Sequence, residues 1–158
     1  MRVVSEHAAE TVTIYAKAQG EDTFRKVRTV GVDENGAWSL RVKPTIATTY
    51  RARSKSAVSA PILIKVRPNV RLLVRRGVFT AEVKPLRPGA SVWLQRWSES
   101  RQHWVSVMSV RLRASSSAAF RWKPAPGAYQ VRLLLTRRQA GLGYMASFSP
   151  PRTDHSPP

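Results

Sequence analysis

Apolar and polar positions alternate in short runs along the chain. Trp38, Leu40 and Val42 interleave with Ser39, Arg41 and Lys43; Phe120 and Trp122 with Arg121 and Lys123; Tyr129, Val131, Leu133 and Leu135 with Arg132. A period of two sends successive side chains to opposite faces of a strand, so the apolar set faces inward and the charge lies on solvated sheet surface. The runs are rich in Val, Thr, Tyr and Trp and are separated by turn signals, the pattern of an all-β sandwich or barrel. Strands are predicted at TVTIYAK, FRKVRTVGV, WSLRVKP, TTYRARS and ILIKVRP in the first half. In the second half they are predicted at VRLLVRRG, VFTAEVKP, SVWLQRW, HWVSVMSVRL, AAFRWKP, AYQVRLLLTR and YMASFSP. DENG at 33–36 reads as a tight turn, and no stretch shows a helical period.

The halves repeat each other. An offset of 80 residues lays Val12 on Val92, Ile14 on Leu94, Phe24 on Trp104, Val27 on Val107, Leu40 on Phe120 and Pro44 on Pro124. With one residue then lost, Tyr50 falls on Tyr129 and Arg53 on Arg132. The expected organisation is a module over 1–68, a second over 69–149, and a polar Pro-rich tail over 150–158 that is expected to be disordered. Pro68 and Asn69 leave the joint little slack. VRLLVRRG and VFTAEVKP, which open the second copy, have almost no counterpart in the first, since Val83 answers to Val3. The first module is therefore expected to lack most of two N-terminal strands, leaving core-facing side chains and a strand edge uncovered. Met1 is expected to be an expression boundary, a misplaced start or the end of a truncated gene.

Charge adds a second theme. The net charge is +18, with 20 of the 27 basic residues arginine, and such a surface attracts polyanions; a GC-rich coding sequence is an equally good source of the arginine excess. Residues 69–153 carry +13 and residues 1–68 carry +6, so polyanion binding is expected to be dominated by the second module. The absence of cysteine excludes disulfides and thiolate metal sites. No apolar run is long enough for a membrane-spanning helix. MRVVSEHAAE breaks into charge too early for the apolar core of a signal peptide, so the chain on its face reads as cytosolic unless it is a fragment.

Catalytic chemistry finds little to work with. Between Val83 and Thr153 the only carboxylate side chain is Glu99, so a paired-carboxylate site cannot be built there. Glu6, Glu10, Glu21, Asp22, Asp33 and Glu34 fall mostly at strand ends and turns, where solvated loop charge is expected. His7, His103 and His155 are not spaced as metal pairs, and Ser115, Ser116 and Ser117 have no nearby base. Asp33, Asn35 and Gly36 match the start of a calcium loop whose later ligands are missing. No catalytic, cofactor or metal residues are assigned, and no enzymatic activity is expected. With Val92 and Leu94 inward, Trp93, Gln95 and Trp97 lie on the outer face of their strand. Aromatic faces interleaved with arginine can stack sugars or bases while pairing with phosphate or carboxylate. The competing expectation is that the tryptophans pack under a loop or against a neighbouring module.

The segments VKPTIATTYRAR and WKPAPGAYQVR resemble the corner between the fifth and sixth strands of fibronectin type III and bacterial immunoglobulin-like repeats. The resemblance implies that Tyr50 and Tyr129 hydrogen-bond back across that corner, and that Arg132 shares a sheet with the Trp93 strand. Thr11–Pro68, with VDENGAWSL and TTYRAR in this spacing, is similar to tandem repeats in secreted and surface proteins of Gram-positive bacteria. The missing cysteine pair, and Ile14 or Leu94 where an inward Trp would stand, separate it from antibody-type domains. The implied fold is all-β: two tandem immunoglobulin-like β-sandwich modules, the first lacking its N-terminal strands. The implied function is a non-catalytic extracellular structural, spacer or adhesion module pair from a larger repeat protein. Two alternatives stay open: binding of anionic wall polymer or acidic glycan through Trp93, Gln95, Trp97 and Arg132, or a small basic nucleic-acid-binding protein with steeply salt-dependent affinity. For the latter no recognition motif appears, and the partner is not identified. Localisation follows the same division: extracellular or cell-surface within a longer chain, cytoplasmic if Met1 is the true start.

Overall fold

The computed structural model describes residues 10–55, 57–75 and 77–156. The chain divides into two units between Val66 and Arg67, each taken by itself here.

The second unit contains β6 (Asn69–Arg75), β7 (Val78–Lys84), β8 (Ser91–Ser98), β9 (His103–Arg111), β10 (Ser117–Arg121), β11 (Gly127–Leu135), β12 (Ser147–Phe148) and β13 (Arg152–Ser156). They form two antiparallel sheets, β10-β7-β6 and β12-β11-β8-β9, with β13 pairing the other end of β11. Val70, Leu72, Phe79, Ala81, Val83 and Ala118 from the first sheet share one core with Val92, Leu94, Val131, Leu133 and Leu135 from the second. The strand alternation drives this: on β7 every second residue is buried, and on β11 the buried residues flank Arg132 and Leu134. In immunoglobulin lettering the sheets are A-B-E and C′-C-F-G. The fourth strand pairs with the third rather than the fifth, the fibronectin type III variant of the sandwich.

The first unit contains β1 (Thr11–Ala18), β2 (Arg25–Gly31), β3 (Thr48–Ser54), β4 (Ala57–Val58) and β5 (Ile62–Ile64). Its sheet runs β2-β1-β3-β4, with β5 also on β3, and is the C′-C-F-G sheet over again. The duplication extends to an irregularity. Pairing slips between Ile14 and Tyr15, leaving Val27 unpaired, and between Leu94 and Gln95, leaving Val107 unpaired. These sites are the same position at the 80-residue offset.

The DENG turn forms as expected: the Asp33 carboxylate accepts from the Asn35 and Ala37 amides at 2.9 and 2.8 Å, and Gly36 takes φ +78°.

Four expectations need correction. WSLRVKP forms no strand, because its counterpart β10 pairs only with β7 and the described part of the first unit has no counterpart of β7. The tail is not disordered over Arg152–Ser156: β13 pairs Gly127–Val131, using backbone groups of β11 that β12 is too short to reach. One helical turn, α1 (Arg137–Ala140), does exist. Thr136 caps it, Gly141 follows at φ +86°, and Gln139 accepts from the Ser91 amide at 2.8 Å. Finally, ladder register gives Arg51, and not Arg53, the place of Arg132, since Tyr15 pairs with Arg51 as Gln95 pairs with Arg132. The second copy has thus gained a residue where one appeared lost, and the Tyr-x-x-Arg spacing shared by Tyr50 and Tyr129 misled the alignment.

Candidate binding face

β8 lies at the centre of its sheet, between β11 and β9. With Val92 and Leu94 fully buried beneath it, its outer face presents Trp93, Gln95 and Trp97. Register places Leu134 and Ser109 beside Trp93, Arg132 and Ser106 beside Gln95, and Trp104 beside Trp97.

Gln95, Arg132 and Trp97 join one cluster with two residues that were not expected, Trp104 and Phe148, while Trp93 stands at its margin. The Arg132 guanidinium lies 4.3 Å from the centroid of Trp104 and 4.2 Å from that of Phe148. Trp97 meets Trp104 edge-on at 5.6 Å. Arg132 Nε donates to Gln95 Oε1 at 2.9 Å, and Gln95 Nε2 donates to Ser106 Oγ at 3.3 Å. Gln95 is consequently only 7% exposed, while Trp93, at the margin, is 39% exposed. Burial pulls the Arg132 pKa below its ordinary value, yet a guanidinium starts so high that it stays charged at neutral pH. Among the described residues nothing hydrogen-bonds its two terminal nitrogens. The face therefore offers a cation against two aromatic rings, with an exposed indole two residues from Gln95 on the neighbouring strand. Such a platform suits a flat ring or an oxyanion.

Trp104 was hidden from sequence reading by the bulge at Val107: two-residue alternation carried back from Val110 and Met108 puts Trp104 on the inner face. Phe148 was hidden because the Leu134–Phe148 pair joins residues distant in sequence. The same arrangement recurs in the first unit. In the first unit Arg51 lies 4.1 Å from the centroid of Phe24 and 5.8 Å from that of Tyr15, the counterparts of Trp104 and Gln95.

The two corner tyrosines behave differently from expectation. Tyr129 packs edge-on against Trp122, and its hydroxyl donates to Asp154 Oδ2 at 3.0 Å, across to β13 and not back over the corner. Tyr50 pairs with Ala16 and Ile62 on the first sheet, and none of the described residues hydrogen-bonds its hydroxyl. The Tyr129 pKa is pushed from 10.0 up to about 12, first by burial, then by the hydrogen bond and negative charge of Asp154. The folded state thus favours the neutral phenol. Its contribution to stability is complete below pH 10 and is lost as pH rises through 12. The stability difference between the native chain and Tyr129→Phe is expected to be constant below pH 10 and to shrink between pH 10 and 12, as read by denaturant titrations across that range.

Among the described residues no group of three His, Asp or Glu side chains is placed to hold a metal. His103 is tied to the Arg101 carbonyl at 2.9 Å, and the Asp33 carboxylate is occupied by its own turn. His7 lies outside the described residues. No described helix is long and apolar enough to cross a membrane.

No family model matches the chain, and no curated protein sequence matches it. Among solved structures, the selenomethionine-substituted chicken interferon gamma receptor alpha chain aligns at 8% identity, covering 95% of this chain and 87% of that one, with a TM-score of 0.43. Strand order and the shared core of the second unit carry the fold assignment.

Proposed function

We propose that the chain is a non-catalytic pair of modules from a larger extracellular repeat protein, serving as spacer or adhesion units. The supporting observation is the duplicated sheet, repeated down to the bulges at Val27 and Val107 and the arginine-on-aromatic contacts at Arg51 and Arg132. Duplication of a structural unit, with chemistry-bearing groups engaged in turns and packing, suits a part whose task is extension and surface presentation. An antibody against residues 69–153 is expected to detect, in wall or medium fractions of the native cell, a band well above 17.7 kDa. A cytosolic band near 17.7 kDa would overturn this reading.

A second reading has its own observation. Exposed Trp93 on the same sheet face as Arg132 favours retention on an anionic wall polymer or acidic glycan. Trp93→Ala combined with Trp97→Ala is expected to reduce retention on such a polymer by about thirtyfold while circular dichroism shows the fold kept; each lost stacking contact is worth about 1 kcal/mol. Unchanged retention would remove this reading. Retention on nucleic acid alone, falling steeply with salt, would move the assignment to that polyanion.

A further inference from the structure

On the outer face of the first unit's sheet, register sets side chains in rows across the strands. One row runs Lys26, Tyr15, Arg51, and the next Thr29, Thr13, Arg53, Val58. Lys17, two residues on from Tyr15, shares its face of β1 and pairs with Thr49. Lys26, Arg51 and Arg53 are exposed. None of these four cations forms an ion pair among the described residues; Glu10 and Glu21, which flank β1, are taken by Lys55 and Arg25.

The rings on this face hold the cations in place. Phe24 has the Arg51 guanidinium 4.1 Å from its centroid and the Lys17 ammonium at 5.5 Å, and Tyr15 has Arg51 at 5.8 Å. A base or a sugar ring would have to displace a cation to stack there.

The second unit differs at the same positions. Lys26, Tyr15 and Lys17 answer to Ser106, Gln95 and Trp97 at the 80-residue offset, and register sets Leu134 where Arg53 stands. At these positions Arg132, the counterpart of Arg51, is the one cation. Residues 69–153 carry the larger total charge, but Arg87, Arg113, Arg137 and Arg138 stand outside the strands. Total charge thus favours the second unit for a polyanion, while the placement of the side chains favours the first.

Alternate residues of a strand lie about 7 Å apart and neighbouring strands about 5 Å apart. Arg51 and Arg53 are therefore spaced by about 7 Å, and Lys26 and Arg51, two strands apart, by about 10 Å. Such unequal spacings suit a chain with flexible links better than a stiff sugar chain that repeats its charge at one interval. Lysine binds phosphate as a point charge, and arginine binds it through its fork.

We propose that Lys17, Lys26, Arg51 and Arg53, ordered by Tyr15 and Phe24, form a binding face for a flexible polymer of phosphate groups that carries no bases. This face and the Trp93 face lie on different units, so either can fail without the other.

The test is binding of the full chain to inorganic polyphosphate across a range of salt concentrations. Lys26→Gln combined with Arg53→Gln is expected to weaken binding about thirtyfold, since each cation near an anionic surface contributes about fivefold. The slope of log affinity against log salt should become shallower by about 1.5. Arg113→Gln combined with Arg137→Gln removes the same charge from the second unit and is expected to weaken binding less than about threefold. Lys26→Arg combined with Arg53→Lys is expected to bind as the native chain does. Equal weakening by the two charge-removing pairs would overturn the proposal, because net charge alone would then set the affinity. Loss of binding in Trp93→Ala, Trp97→Ala with none in Lys26→Gln, Arg53→Gln would also overturn it and return the polyanion to the second unit. So would tighter binding to oligothymidylate or to a polyuronate of equal charge, or no binding to polyphosphate at low salt.

Discussion

Phe79→Ala lowers the melting temperature of the second unit by roughly 15 to 30 °C as an expected result, the largest effect of any single truncation considered. Phe79 is 0% exposed, sits on the central strand of the A-B-E sheet, and stacks with Phe120 at 5.6 Å and edge-on with Trp122 at 6.1 Å. Its removal forfeits the transfer free energy of a ring and leaves a cavity bounded by strands fixed on both sides, which together cost about 3 to 5 kcal/mol. Domains of this size are stable by about 5 to 15 kcal/mol, so the variant stands near the limit of folding. Leu142→Ala is the matched control. Leu142 is as apolar but 87% exposed, so its truncation is expected to change stability by less than about 0.5 kcal/mol. Calorimetry on both variants checks the pair, and similar shifts would show that the Phe79 side chain does not hold the sandwich together.

Arg132→Leu is expected to destabilise the second unit by about 2 to 4 kcal/mol, more than a surface arginine ordinarily contributes. Two aromatic contacts, at Trp104 and Phe148, account for about 0.5 to 1 kcal/mol each. The larger part comes from Gln95: buried to 7% exposure, it loses the donor to its side-chain oxygen, and an acceptor left without a partner costs about 1 to 3 kcal/mol. The double variant Gln95→Leu, Arg132→Leu should therefore be more stable than the sum of the singles by about 1 kcal/mol or more, a coupling that denaturant titrations resolve. Arg132→Lys is expected to recover less than half the loss. An ammonium can be held over one ring, but it lacks the planar fork that contacts two rings while its Nε donates to Gln95. Additive effects in the double variant would mean that the Gln95–Arg132 bond contributes nothing.

Both predictions turn on facts with different visibility in sequence. Phe79 stands in a run, VFTAEVKP, whose alternation marks it as inward without any knowledge of its neighbours. Arg132 is marked as outward by the same alternation, and Trp93, Gln95 and Trp97 likewise. That an arginine between two buried residues lies across Gln95, and is covered by Trp104 and Phe148, depends on which strands are neighbours and where a bulge falls. The repeat was legible from apolar matches up to Pro44 and Pro124, where no gap intervenes. Past that point a short coincidence of Tyr and Arg outweighed the true register, and only the ladder pairing of Arg51 with Tyr15 resolved it.

By itself the sequence determined an all-β chain, its internal duplication, the inward and outward sets on strands whose alternation no bulge interrupts, the turn at Asp33–Gly36 and the scarcity of carboxylates for chemistry. Those properties are local: a period of two, a turn's residue types and a composition are complete within a few neighbouring positions. Tertiary structure decided the partners. It made a strand of Arg152–Ser156, which carries little apolar signal but meets free backbone groups on β11. It denied a strand to residues 38–42, whose alternation is clear but whose neighbour is missing among the described residues. It sent the Tyr129 hydroxyl to Asp154, and it built the arginine stack from four strands. A strand exists only when another backbone satisfies its hydrogen bonds, and a surface cell exists only when register brings its members together; neither condition can be read from the residues that must meet it.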